Sequence, residues 1–147
     1  AQAAGFAIAR EKVTQFLHSL EDIFDAFSPL PPPTLTLDTH LYASDISLES
    51  CTSLEKLEPF GIANKKPLFY MSAIQLQEIK PLGKDNKHWK LELYDNSTHK
   101  SFQGVAFNMS ETSFQPEMNL AVRLGINSWN GHKSPQVIIE HIQNKLA

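Results

Sequence analysis

Only one cysteine, Cys51, occurs in the 147 residues. No disulfide can form within the chain, and a reducing, cytoplasmic setting is the simpler expectation. No apolar run approaches the ~20 residues that a membrane span requires, so no membrane partner is expected. The chain starts AQAAGFAIAR, without an initiator Met. It has neither the charged nor the long apolar segment of a signal peptide, and reads as the cut edge of a longer protein. Asn96-Ser-Thr and Asn108-Met-Ser fit the glycosylation pattern, but without a secretory signal both are read as chance. Phosphate-binding glycine loops, a nucleophile elbow and clustered carboxylates are all missing. His18 and Asp22 at i, i+4, and Asp38-Thr-His40, fall short of a metal-ligand set. The residues therefore point away from a complete active site, and no metal or other cofactor is expected within this chain.

The composition, 41% hydrophobic and 20% charged, is ordinary for a soluble globular domain. The length suits one domain with a real core, or a smaller one with an appendage. The net charge of −3 hides an asymmetry. Residues 1–61 carry 3 Lys/Arg against 9 Asp/Glu, and residues 62–147 carry 10 against 7. The acidic part and the mildly basic part are expected to face different partners, and the basic part permits an anionic one.

Val13, Phe16, Leu17, Leu20, Ile23, Phe24 and Phe27 form the stripe of an amphipathic helix over about 10–27. SPLPPP at 28–33 ends it, because proline has no amide proton and disfavours helix at the residue before it. Thr34–Asp38 alternates like a short strand. Ser47 is placed to cap a second helix with Leu48, Cys51, Leu54 and Leu57 on one side, ending at Pro59. Beyond LEPFGIANKKPLF (57–69) the apolar period becomes two. It predicts strands at about 68–79, 88–95, 101–108, 119–127 and 136–142, separated by turns rich in Asn, Asp, Gly and Ser. In the first strand Phe69, Met71 and Ala73 alternate inward and then Ile74 and Leu76 take over, a slip that suggests a bulge.

The fold class is thus mainly β with flanking helices (α+β): a five-stranded OB-fold-like barrel preceded by helical segments. NMSETSFQPEM (108–118) is too short for the usual OB helix, so an SH3-like barrel stays open on pattern alone. The expected organisation is an appendage at 1–28, a linker with short strand and helix at 29–61, and the barrel at 62–147.

An OB barrel binds ligands on its second and third strands and on the loops joining strands 1–2 and 4–5. Those loops carry Lys80, Lys84 and Lys87, and Trp129, His132 and Lys133. Outward strand positions add Tyr70, His88, Lys90, Tyr94 and Arg123. Lysines that track phosphates, interleaved with rings that stack bases at roughly 1–3 kcal/mol each, suit a single-stranded nucleic acid. The plain alternative is solvated lysines beside half-buried aromatics. Trp129 is equally suited to base stacking and to plugging the barrel or docking on the second helix.

LEPFGIANKKPLF resembles the LxPFGxGNPxPxF stretch of the RecJ family of single-stranded-DNA-specific exonucleases, where it enters a C-terminal OB-fold. AAGFAI (3–8) resembles the end of the family's GGHxxAAGF motif in the DHHA1 domain. HWKLELYD (88–95) resembles its HLKL strand, and INSWNG (126–131) its NxWNG. Ala63 stands where the family has Gly, and Lys65 where it has Pro; if the Gly needs positive φ, the turn here must be strained or different. The catalytic aspartates and histidines of the DHH domain have no counterpart. The resemblance implies a parent 5′→3′ exonuclease on single-stranded DNA, using Mn²⁺ or Mg²⁺, in recombination and repair. Residues 1–28 would be the last part of DHHA1. The implied partners are single-stranded DNA and the catalytic DHH and DHHA1 domains of the same chain. Lys90, Tyr94, Arg123, Lys84, Lys87 and Tyr70 are the expected DNA grip, with Lys65, Lys66 and Trp129 next. The rival expectation is a module that braces the nuclease core or meets a protein; a third is an RNA-binding barrel.

Overall fold

The structure, a computed structural model, describes residues 5–26, 34–83 and 87–144. The chain divides into two compact units between Leu35 and Thr36. In the first, a 3-10 turn at Arg10–Lys12 runs into helix α1 (Val13–Ala26), where the apolar stripe places it. The Phe6 ring meets Phe16 edge to face at 4.9 Å, so the preceding segment covers part of that stripe. Phe27 and the prolines at 31–33 lie outside the described residues.

The second unit holds six strands: β1 (Thr39–His40), β2 (Phe69–Leu82), β3 (His88–Asp95), β4 (Lys100–Phe107), β5 (Glu117–Trp129) and β6 (His132–Asn144). Their order is β1-β2-β3-β4-β6-β5, and β2 also pairs with β5, which closes the barrel. The β4–β6 pairing is parallel and the other barrel pairings antiparallel. This is the OB arrangement, and the SH3-like alternative falls away. β2 reaches both neighbours by bending. Its register against β5 shifts between Met71 and Ile74, and against β3 between Leu76 and Glu78. The expected slip is therefore real, but Ala73 does not point inward. It is exposed at φ 53°, and its amide donates to Asn119 Oδ1 at 3.0 Å, which satisfies the backbone that the bulge frees.

The core runs through the barrel: Met71, Ile74, Leu91, Leu93, Met118, Leu120, Val122 and Val137 are almost wholly buried. The loop after β4 covers the end where β3 begins. It has only a 3-10 turn, Glu111–Ser113, in place of a helix. Met109 and Phe114 pack on the core there, and Trp89 Nε1 donates to Met109 O at 2.9 Å.

The segment before β2 covers the end where β3 finishes. The expected strand at Thr34–Asp38 is absent; the ladder forms one step later, as β1 beside β2. Asp38 uses its own side chain, Oδ2 accepting from Leu68 N at 2.8 Å. Another 3-10 turn, Ala43–Asp45, is tied to the β3–β4 turn through Asp95, which accepts from Ala43 N at 3.0 Å. Helix α2 (Leu48–Glu55) starts at Ser47, whose Oγ accepts from Ser50 N as a cap. It ends before Pro59, and only Cys51 and Leu54 of its expected apolar side face the core; Leu48 and Leu57 are exposed. α2 packs on β5 and β6, with Cys51 Sγ donating to Gly125 O at 3.2 Å.

Candidate nucleic-acid interface

β3 alternates strictly, burying Trp89, Leu91, Leu93 and Asp95 and turning His88, Lys90, Glu92 and Tyr94 outward. Its register with β4 sets these opposite Phe107, Val105, Gln103 and Ser101. A cleft of about 210 Å³ opens over this surface. Lys90, Gln103, Gly104 and Val105 line it from the strands, Leu82 from the end of β2, and Asn127, Ser134, Pro135 and Gln136 from the β5–β6 hairpin. Gly104 packs closely on the inner side: a Cβ there would stand 3.1 Å from Leu93 Cδ1 and 3.4 Å from Ile139 Cδ1, so these side-chain tips would have to shift by a few tenths of an ångström to admit one.

The charge on this face is graded. Lys87 and Lys90 stand at the end where β3 begins. Further along, Gln103 Nε2 donates to the Glu92 carboxylate at 2.7 Å. Lys80 sits opposite Lys90 but is paired with Glu78 at 2.8 Å, and that hydrogen bond pushes its ammonium pKa up. An anion is therefore favoured at the Lys87–Lys90 end and disfavoured beside Glu92.

The remaining candidates are spread around the barrel. Tyr94 is half-buried, hydrogen-bonded through its OH to His99 Nδ1 at 3.2 Å. Trp129 is 74% exposed at the hairpin tip, so it neither plugs the barrel nor docks on α2. Tyr70 lies in the part of β2 that pairs with β1 and β5, its ring 5.5 Å from His40 and away from Lys90. Arg123 is two strands removed from β3. Its Nε donates to Glu140 Oε1 at 2.9 Å, and Nη1 donates to the Lys66 carbonyl. Lys65 is exposed and Lys66 half-buried. Lys84 lies outside the described residues. Lys90 thus lines the cleft, Lys87 precedes it at the start of β3, Trp129 tops the hairpin, and Tyr70 and Arg123 stand elsewhere.

Four residues of this face escaped the sequence reading. Phe107 is half-exposed with its ring 5.4 Å from His88, and β4 alternation alone places it outward. His88 is itself fixed, its Nδ1 accepting from Asn108 N at 3.2 Å. Asn127, Ser134 and Gln136 carried no signal, because they reach the cleft only through barrel closure.

The 57–69 stretch is a joint. Asn64 Nδ2 donates to Leu57 O at 2.8 Å and to Pro59 O at 3.1 Å, and Gly61 N donates back to Asn64 O at 2.8 Å. Glu58–Pro59 is cis. Ala63 has no positive φ, so the turn here does not need glycine at that position. Phe60 is half-buried in a second cleft of about 250 Å³, beside Leu54, Lys66 and Ile126.

Among the described residues no three His, Cys, Asp or Glu side chains converge to hold a metal. None of the described helices is long and apolar enough to cross a membrane.

Known proteins share this arrangement. The family model of the RecJ OB domain matches residues 37–141. The single-stranded-DNA-specific exonuclease RecJ of Bacillus subtilis (strain 168) is 25% identical over 142 residues, spanning 94% of this chain and 18% of that protein. The protein of the same name from Thermus thermophilus is 28% identical over 136 residues, 92% of this chain and 19% of the relative. The crystal structure of RecJ in complex with Mn²⁺ from Thermus thermophilus superposes with a TM-score of 0.76 at 25% identity, over 97% of this chain and 20% of that one. A second, in complex with Mg²⁺, superposes equally well. The chain thus spans about a fifth of the length of these relatives.

Proposed function

The chain belongs to the RecJ OB domain family, and from this we propose that its barrel grips single-stranded DNA for a parent exonuclease. The observation that carries the reading is the cleft between the β2 end and the β5–β6 hairpin, floored by β3 and β4, with Lys90 at its edge. This is where OB barrels take oligonucleotides. Lys87 and Lys90, with Lys84, meet phosphates; Trp129, Phe107 and Tyr94 offer rings to bases. Lys65, Lys66 and Tyr70 stand outside this path as secondary contacts, and Arg123 supports the barrel.

The parent cleaves 5′→3′ in DNA recombination and repair, in the cytoplasm. Residues 1–28 complete its DHHA1 domain, 29–61 link, and 62–147 form the barrel. The Mn²⁺ or Mg²⁺ of the named crystal structures belongs, in this reading, to the DHH and DHHA1 domains, because the described residues hold no donor set. This chain orients the strand and carries out no chemical step. A second reading, a protein-docking or bracing module, draws on Ile62, which is fully exposed in the joint beside the half-exposed Leu57.

Titration with oligo-dT at several salt concentrations tests the grip. With two or three phosphates engaged, log K should fall against log salt with a slope of about −2. Lys87→Ala with Lys90→Ala should flatten that slope by about 1 or more. Absence of binding at low salt would move the assignment to the docking module.

A further inference from the structure

The tip of the β5–β6 hairpin carries an asparagine whose surroundings set it apart. Asn130 and Gly131 are both exposed, and both hold a left-handed φ, 47° and 78°. Among the described residues, the Asn130 side chain makes no hydrogen bond and the Gly131 amide is engaged by no other group. Outside its chain neighbours, no heavy atom lies within 4 Å of where a Gly131 Cβ would stand. The other asparagines with described side chains are restrained. Asn64 Nδ2 is held by Leu57 O and Pro59 O. The amide after Asn96 donates to Asp95 Oδ1, and the amide after Asn108 donates to Lys87 O. Asn119 and Asn127 lie within the β5–β6 ladder, which keeps their backbone extended. Asn130 alone is followed by glycine.

We infer that Asn130–Gly131 is a site of self-modification, at which the asparagine converts to aspartate or isoaspartate. The Gly131 nitrogen attacks Asn130 Cγ. The new N–Cγ bond closes a succinimide ring, the Cγ–Nδ2 bond breaks, and ammonia leaves with the proton that the Gly131 nitrogen gives up. Water then opens the ring at either carbonyl. Attack requires rotation out of the left-handed turn, and a hairpin tip opens locally at little cost. Glycine permits that rotation and presents no Cβ to hinder the approach. In isoaspartate the main chain runs through the former side chain and gains a methylene, which the two-residue turn cannot absorb. Either product also sets a carboxylate between Trp129 and the His132–Lys133 pair. On the single-strand reading, conversion therefore weakens the grip, through added negative charge and a displaced Trp129 ring.

The test incubates the 147-residue chain at mildly alkaline pH and follows it by peptide mass mapping and by labelling with an isoaspartyl methyltransferase. Conversion should concentrate at Asn130, speed up with pH as the attacking nitrogen deprotonates, and outpace that at every other asparagine. Asn130→Gly, which keeps the turn, should remove the label. A folded chain that stays intact at Asn130 while the denatured chain converts there would overturn the site, as would conversion led by another asparagine. For the consequence, incubated wild type should bind oligo-dT several-fold more weakly than fresh chain, and incubated Asn130→Gly should not. Unchanged affinity at full conversion would overturn the effect on binding and leave the modification site standing. Failure of the fresh chain to bind oligo-dT at low salt would overturn the single-strand reading without touching the site.

Discussion

Asp95 is the one buried carboxylate among the described residues, 3% exposed. Burial alone would raise its pKa. Hydrogen bonds from the Ser97 hydroxyl (2.6 Å), Ser97 N (2.8 Å), the Thr98 hydroxyl (2.9 Å) and Ala43 N (3.0 Å) outweigh that and hold it at about 2, against an ordinary 3.8. Because the folded value lies below the unfolded one, the stabilisation is fully present above about pH 4 and lost as pH falls through about 2. Its size is about 2 kcal/mol. Urea unfolding from pH 6 to pH 2 should show wild type losing this much more than Asp95→Asn; parallel curves would refute it. Cys51 behaves differently. It is 1% exposed, and burial pushes its thiol pKa up while its Sγ donates to Gly125 O. A thiol reagent at pH 7 should leave native protein unlabelled for hours and label it at once in denaturant; rapid native labelling would mean that α2 opens locally.

At the scale of elements, the β5–β6 hairpin sets one wall of the cleft. Trp129 and His132 pair across Asn130 (φ 47°) and Gly131 (φ 78°), the two-residue turn with both central residues left-handed that best fits strand twist. Gly131→Ala should cost about 1 kcal/mol, because a Cβ is strained at that φ. Asn130→Gly should be nearly neutral, and chemical denaturation distinguishes the two. Arg123 ties β5 to Glu140 of β6 and to the Lys66 carbonyl at the entry to β2. Arg123→Met should destabilise by about 1 kcal/mol, mostly through the Lys66 carbonyl, because the Glu140 carboxylate is 43% exposed and regains water. It should leave oligo-dT affinity within twofold, and a large affinity loss at unchanged stability would return Arg123 to the DNA grip.

At the scale of the molecule, the buried core residues among those described all lie at Leu41 or beyond, and the compact-unit boundary falls at Leu35/Thr36. A chain of residues 36–147 should therefore fold alone, with an unfolding midpoint within a few degrees of the full chain by differential scanning calorimetry. Loss of the cooperative transition would show that the barrel depends on residues before 36. Among the described residues Lys90 is the one lysine that lines the cleft, so the proposed grip is a modest electrostatic one. Affinity is expected to depend on bases as well as phosphates, in contrast to proteins with steep salt slopes.

The five barrel strands, the Ser47 cap, the bulge in β2 and the missing OB helix were readable along the chain, whereas the strand expected at Thr34–Asp38 did not form. Each follows from local rules: period-two burial, a hydroxyl able to accept an orphan amide, a one-residue slip in alternation, and a loop too short for helical turns. His88, Lys90 and Tyr94 were readable as one face for the same reason. Closure of the barrel was not local. Bringing β4 beside β6 in parallel assembled Asn127, Ser134 and Gln136 against Gly104 and Val105, residues from distant parts of the chain. The same closure drew Arg123 into bonds with Lys66 and Glu140 and left Tyr70 with His40, and no periodicity in a single strand records how a sheet closes on itself.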